Sequence, residues 1–457
     1  MSVNPYVFRE YDIRGRVAED FPDELVRDLG RAFGTFVRRR GGREISLSGD
    51  VRLSTPGLKE MFKEGVLDTS TDVLDIGTVP TPVNYYSMWK LNVAGAVQIT
   101  GSHNPPEMNG FKMSFGKGAV YGAQIQELRQ LVESHDFESG TGTEISYPIL
   151  EDYMEMILDK INLERKLKVA MDCGNAAACL VAPRLFRELG IALEELYCDA
   201  DGSFPNHHPD PTIPENLSDL TDLMSEGSFD VGVAYDGDAD RIGVVDENGN
   251  IVWADKIMCL FLPEIVEPGD EILFDVKCSQ ALEEEILRHK GKPVIWKTGH
   301  SLIKQKMKEL GCKFGGEMSG HLFMADDYFG YDDAVYVSVR LIQTLSRQGK
   351  KLSELIGELP RYYSTPEMRL ECPTDEEKFR IAERASDFFK SNYDCLDIDG
   401  VRVKFRDGWG LVRASNTQPV IVCRFEANSQ ERMEEIKSLV LGKIQEMGEI
   451  SIPDESH

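Results

Sequence analysis

One local pattern recurs in this chain: an apolar run that reads as a strand, a turn of glycine, aspartate and serine, then an amphipathic helix. Residues 94–99 lead into T-G-S-H-N-P-P at 100–106, and 169–171 into the turn at 172–175. Val231–Tyr235 leads into D-G-D-A-D-R at 236–241, and 272–274 into the turn at 275–279. Strands alternating with helices predict α/β domains with largely parallel or mixed sheets. Functional loops in such domains sit at the C-terminal ends of strands, where each of these turns falls. At roughly 150 residues per domain, 457 residues make about three domains, and four smaller ones fit equally.

The polar stretch 138–144 precedes a helical stripe of Tyr153, Met154, Ile157, Leu158 and Ile161, which places a first boundary near 147. A strand–turn–strand ending at Asn248-Gly249 suggests a second near 250, and the segment from Leu359 to Pro366 reads as a linker, with a division at 362. The expected units are 1–147, 148–250, 251–362 and 363–457. The last reads differently: strands at 401–405, 411–413 and 419–426, then a helix carrying Met433, Ile436, Val440 and Ile444. That is an α+β pattern and not another copy of the others.

Composition narrows the partners. Asp plus Glu is 78 against 51 Lys plus Arg, a formal charge of −27. Such a chain is repelled by nucleic-acid phosphates and anionic lipid, so any phosphate it binds needs a local basic pocket. No stretch approaches the roughly 20 apolar residues of a membrane helix, and residues 1–14 lack the apolar core of a signal peptide. The nine cysteines include no C-x-x-C pair, which fits reduced thiols in a cytoplasmic protein.

Four loops carry candidate chemistry. In 100–106, Ser102 leaves a strand beside Gly101, with His103 next to it and Lys112 ten residues on. It reads as a nucleophile or phosphate carrier, or as a capping serine in a polar turn. In 236–241, Asp236, Asp238 and Asp240 can converge on one divalent cation, and oxygen-only donors favour Mg²⁺ over zinc. An EF-hand fails because its sixth position is Arg241 and the flanks read as strands. The bland alternative is an acidic turn, but three carboxylates this close repel one another without a cation.

G-E-M-S-G-H at 316–321 sets Glu317 and Ser319 at i and i+2; if extended, both face one side and can bridge adjacent sugar hydroxyls. A solvated turn is the alternative there. R-A-S-N-T-Q-P at 413–419 offers Arg413, Ser415, Asn416 and Thr417 as a phosphate cradle, or a self-satisfied hairpin. Arg14, in Y-D-I-R-G at 11–15, is a further basic group. Together the loops form an inventory for phosphoryl transfer on a sugar phosphate. No Walker A, kinase glycine loop or G-x-G-x-x-G is present, so a donor other than a nucleotide is needed, and Ser102 can be it.

With these loops in order, and with F-R-E-Y-D-I-R-G at 8–15, D-G-S-F-P-N-H-H-P-D-P at 201–211 and W-K-T-G-H-S-L-I-K at 296–304, the chain resembles the α-D-phosphohexomutase family over essentially its whole length. The resemblance implies three similar α/β domains with mixed sheets and a smaller C-terminal α+β domain around a central cleft. It implies a phosphorylated Ser102, and Mg²⁺ held by Asp236, Asp238, Asp240 and the Ser102 phosphate. Glu317, Ser319 and His321 would contact the sugar, and Arg413, Ser415, Asn416 and Thr417 the phosphate not being transferred. Tyr11, Lys277 and His300 match further substrate contacts, while Arg14, His103, Lys112 and Arg241 would surround the transferring group. The implied reaction interconverts hexose 1- and 6-phosphates of mannose, glucose or both through a 1,6-bisphosphosugar. Glucose or mannose 1,6-bisphosphate would be the activator, the general base Lys112 or His103, and the protein a cytoplasmic monomer without nucleic-acid or membrane partners.

Three positions depart from the family pattern: Ala239 where glycine is frequent, Gly49 where arginine is often seen (Arg52 is kept), and the 173–176 turn. Three competing expectations stand beside this one. Phosphoglucosamine mutases resemble A-S-H-N-P at the serine loop, where this chain has Gly101. A non-catalytic sugar-phosphate sensor would have lost the serine or a metal aspartate. A phosphatase would release the Ser102 phosphate to water.

Overall fold

In a computed structural model, residues 4–415 and 420–451 are described; Asn416 and Thr417 of the expected cradle lie outside them. Four sheets follow one another along the chain. In the first, Glu44–Gly49 pairs in parallel with Asp72–Thr78 and Gly95–Ile99, and the antiparallel strands Met108–Phe115 and Ile13–Arg16 complete one side. In the second, Val231–Tyr235 lies parallel to Lys168–Asp172 and antiparallel to Ile242–Val245. In the third, Glu271–Asp275 is parallel to Lys292–Trp296 and Phe314–Gly316, and Leu322–Met324 returns antiparallel. These are the expected mixed α/β sheets, and in each the functional turn leaves a central strand at its C-terminal end. Ile251–Val252 still pairs with the second sheet, so that sheet runs just past the division expected at 250.

The fourth sheet is antiparallel throughout, with Gly408–Ala414 between Val401–Phe405 and Val420–Ala427. Helices Asp375–Asn392 and Gln430–Gln445 cover it, capped by Thr374 and Ser429 hydroxyls that accept from backbone N–H groups three residues on. Met433, Ile436, Val440 and Ile444 are buried against the sheet, the face their spacing predicts. Tyr363–Ser364, read above as part of a linker, is instead an edge strand paired with Val420–Ala427.

One apolar core runs through the second and third units and takes in the helix Thr81–Lys90 of the first, whereas the fourth unit has a core of its own. The fourth docks on the third through a small apolar cluster of Val276, Trp409 and Leu411 and through arginine side chains on backbone carbonyls. Arg402 donates to Val276 O at 3.0 Å and Cys278 O at 3.1 Å, and Arg424 to Lys277 O. No helix among the described residues is long and apolar enough to cross a membrane.

Candidate active site

The expected loops converge on a cleft of about 740 Å³. Ser102, His103, Lys112, Arg14 and Arg241 line its floor; Tyr11, His300, Glu317, Ser319 and His321 one flank; Lys277, Arg413 and Ser415 the far wall. The three aspartates lie beneath the floor, wholly buried.

Ser102 is more enclosed than a serine simply displayed at a strand end: it is 2% exposed and has a left-handed backbone, φ 47°. Its hydroxyl donates to Asp236 Oδ2 at 2.9 Å and lies 3.1 Å from His103 Nδ1. The loop is held by Arg52, whose buried guanidinium donates to the carbonyls of Ser102 and Asn104 at 2.6 Å, Pro105 at 2.8 Å and Met108 at 3.1 Å. A Cβ on Gly101 would come within 2.5 Å of Arg52 Cζ, so this loop has no room for alanine there. A Cβ on Gly237 would lie 2.1 Å from Ser102 O, because the serine and carboxylate loops pack back to back. From the second unit, His208 hydrogen-bonds His103 O.

Beneath, Asp236 Oδ1 accepts from the N–H groups of Asp240 and Arg241 at 3.0 and 3.1 Å. Burial, then the negative charges of Asp240 and Asp238, push the Asp236 carboxyl well up. Burial acts the same way on Asp240, but Lys112 and His321 overcome it and hold that carboxyl well below the usual range. Lys112 Nζ bridges Asp238 Oδ2 at 2.7 Å and Asp240 Oδ2 at 2.5 Å. Burial disfavours that ammonium, yet the aspartates raise its pKa. The residues fit a hard divalent cation: oxygens of all three carboxylates lie within 4.8 Å of one another, and Asp238 Oδ1 is buried without a partner. Ala239 sits at φ 60°, which is why glycine suits the position; alanine there costs about 1 kcal/mol.

His103 differs from Lys112. Burial, then the charges of Arg241 and Arg14, lower its pKa well below the ordinary value.

The 317–320 segment is a turn and not the extended pair expected of Glu317 and Ser319: Gly320 N–H donates to Glu317 O at 3.1 Å. Glu317 is buried, accepting from Gly299 N–H at 2.6 Å and lying 2.8 Å from His321 Nδ1. Burial would raise its pKa, but His321 outweighs it and holds the carboxyl at about 2. Against burial, Asp240 at 3.1 Å and Glu317 push His321 up to about 9. His321 thus ties the 316–321 loop to the carboxylate loop. Tyr11 donates to Thr298 O at 3.0 Å, and His300 lies 3.2 Å from buried Asp332.

On the far wall Lys277 lies 3.0 Å from Glu367 and Arg413 Nε 3.0 Å from Asp399. Glu367, Arg369 and Arg424 also line the cleft and were not foreseen; they are scattered in the sequence without a motif. Asp50, beside Arg52, accepts from the hydroxyls of Thr55 at 2.6 Å and Thr100 at 2.8 Å.

Three α/β units closed by an antiparallel fourth around a basic cleft place the protein in the phosphohexomutase class. Consecutive segments match four domains of phosphoglucomutase/phosphomannomutase: alpha/beta/alpha domain I at 6–139, domain II at 151–249, domain III at 253–363 and the C-terminal domain at 367–443. The chain belongs to the phosphoglucomutase/phosphomannomutase family. It is 44% identical over 438 residues to a phosphomannomutase/phosphoglucomutase of Pseudomonas aeruginosa, covering 95% of this chain and 94% of that one. It is 40% identical over 443 residues to a phosphoglucomutase of Neisseria gonorrhoeae, covering 96% of each. The crystal structure of a phosphoglucomutase/phosphomannomutase family protein from Burkholderia thailandensis matches with a TM-score of 0.92 at 39% identity, over 98% of this chain and 99% of that one.

Proposed function

We propose that the protein is an intramolecular phosphotransferase that interconverts hexose 1- and 6-phosphates, of glucose, mannose or both, with Ser102 as the phosphoryl carrier. The observation that carries this reading is the Ser102 hydroxyl at the bottom of a basic cleft, 2.9 Å from Asp236 and 3.1 Å from His103 Nδ1. Phosphoserine 102 loses its phosphoryl group to a sugar hydroxyl: the Ser Oγ–P bond breaks, a sugar O–P bond forms, and the proton of the sugar hydroxyl is relayed to the freed Ser102 Oγ. We assign that relay to His103, whose Nδ1 lies 3.1 Å from Ser102 Oγ; Lys112 Nζ is instead paired with Asp238 and Asp240. Arg14 and Arg241 face the phosphoryl group as it moves, where positive charge is worth most.

The 1,6-bisphosphosugar then turns over, and its other phosphate returns to Ser102. Mg²⁺ held by Asp236, Asp238, Asp240 and the Ser102 oxygen would supply charge neutralisation for the transferring group. Glu317, Ser319 and His321 grip the sugar, with Tyr11 and His300 beside them; Lys277, Arg413 and Ser415, with Asn416 and Thr417 by the family pattern, hold the distal phosphate. The reading extends to glucose or mannose 1,6-bisphosphate as activator, to units divided near 147, 250 and 362, and to a cytoplasmic monomer. The charge of −27 supports the absence of nucleic-acid and anionic-membrane partners.

The test is a mutase assay on glucose 1-phosphate, mannose 1-phosphate and glucosamine 1-phosphate with Mg²⁺ and a trace of glucose 1,6-bisphosphate, beside an EDTA control. Turnover of either of the first two, lost with EDTA, is expected. Turnover of the glucosamine ester alone would replace this reading with phosphoglucosamine mutase, and no turnover at all would leave a sensor.

A further inference from the structure

A second cavity, of about 510 Å³, lies between the first and third units and shares no lining residue with the cleft. One wall is the helix Thr81–Lys90 with the turn that follows Met108–Phe115; the other is the helix His300–Leu310 with the 325–331 loop. The volume falls within the roughly 300–1,000 Å³ of small-molecule sites.

Its lining joins two chemistries. Trp89 packs with ring centroids 5.4 Å from Phe329 and 5.3 Å from Tyr331, and Tyr331 lies 5.5 Å from Tyr85, so tilted aromatic rings form one contiguous cluster along the cavity. Around them stand lysines. Lys304 lies 4.0 Å over the Tyr85 ring and is paired with Asp332 at 2.7 Å. Lys117 sits 5.3 Å over Trp89, and both it and Lys308 are exposed and form no ion pair among the described residues. In a chain of net charge −27, two cations left without carboxylate partners at one aromatic cavity mark a place for an anion. The Ser301 hydroxyl, on the same wall, is buried without a hydrogen-bond partner, which a ligand or a ligand-bound water would satisfy.

We propose that this cavity is a second ligand site, for a nucleoside diphosphate: the base stacks on the Trp89 surface, and Lys117 and Lys308 take the phosphates. Stacking on an aromatic face supplies attraction without base-specific hydrogen bonds, and the two ammonium groups, one from each wall, supply the anion preference. The site bears on the cleft, because one helix presents His300 to the cleft and Ser301 to this cavity in its first turn. A ligand here ties the first and third units together at the spacing the structure shows.

The test is calorimetric titration of the whole protein with UDP, UMP and inorganic pyrophosphate, repeated on Lys117→Glu/Lys308→Glu, Trp89→Leu and Arg413→Ala. Both lysines are exposed, so the double variant keeps the fold, which a thermal melt verifies. Saturable one-to-one UDP binding is expected, weakened about tenfold or more in the double variant, weakened in Trp89→Leu, and unchanged in Arg413→Ala. Three results would overturn the proposal: no saturable UDP binding at millimolar concentration, binding lost in Arg413→Ala but kept in the double variant, or pyrophosphate binding as tightly as UDP. The first removes the site, the second moves it into the cleft, and the third removes the nucleotide class.

Discussion

At the floor of the cleft one arginine, Arg52, is committed to four backbone carbonyls of the serine loop, whereas on the far wall Lys277 and Arg413 are held by the carboxylates Glu367 and Asp399. Neither arrangement is neutral toward substrate. The bonds of Arg52 all run inside the protein and survive any ligand, so they fix where Ser102 points. The wall's ion pairs occupy the groups a phosphate needs, so binding there exchanges one anion for another. The fourth unit that carries Arg413 has a core of its own and meets the third through a small apolar cluster of Val276, Trp409 and Leu411 and through arginines on carbonyls. A rigid floor and an exchangeable wall are what a reaction needs when one serine must meet both ends of a sugar.

Substitutions can break this contrast. Ser102→Ala has the largest expected effect, a loss of turnover of about 10⁴-fold or more with the thermal midpoint nearly unchanged, measured in the mutase assay and a melt. Arg52→Met comes next. It leaves Asp50 and four carbonyls buried without their cation, so stability falls by about 3–5 kcal/mol in denaturant unfolding. In the fraction that stays folded, kcat falls roughly a hundredfold with little change in KM, because the serine drifts while the phosphate wall is intact. Arg413→Ala acts the opposite way: KM rises about 10–100-fold, the worth of one or two charge-assisted hydrogen bonds, with a smaller change in kcat. An Arg52 variant that changed only KM would erase the distinction between floor and wall.

The smallest effect concerns pH. His207 lies 3.0 Å from Asp172 and 3.0 Å from His208 O. Burial lowers its pKa, but the Asp172 hydrogen bond and charge win and raise it above the ordinary 6.5. Its contribution is therefore complete below about pH 6.5 and fades as pH rises through the raised value. It amounts to less than about 1 kcal/mol in this partly exposed site. His207→Gln should lower the melting temperature at about pH 6 more than at about pH 9. Equal losses at both would mean that the charge plays no part.

Much of this was legible in the sequence, because the signals are local. The strand before 236–241 announces where three aspartates will meet, and the 433–444 periodicity announces which face of the last helix is buried. What escaped was long-range. Arg52 reaches a loop some fifty residues on, and Glu367 faces Lys277 across a unit boundary; no spacing rule encodes either. Glu317 and Ser319 show the other failure: a period-two argument holds only for extended backbone, and here the chain turns. Gly101 and Gly237 stood inside recognised motifs, but only the packing of the two loops shows why a Cβ is excluded at each.

The central claim is that Ser102 carries the phosphoryl group. The direct measurement is to load the protein with radiolabelled phosphate on Ser102, add unlabelled glucose 6-phosphate, and follow the label. The account predicts that it leaves the protein and appears in glucose 1,6-bisphosphate, and then in glucose 1-phosphate and glucose 6-phosphate. Label that stays on the protein while substrate turns over, or that leaves only as inorganic phosphate, would contradict it.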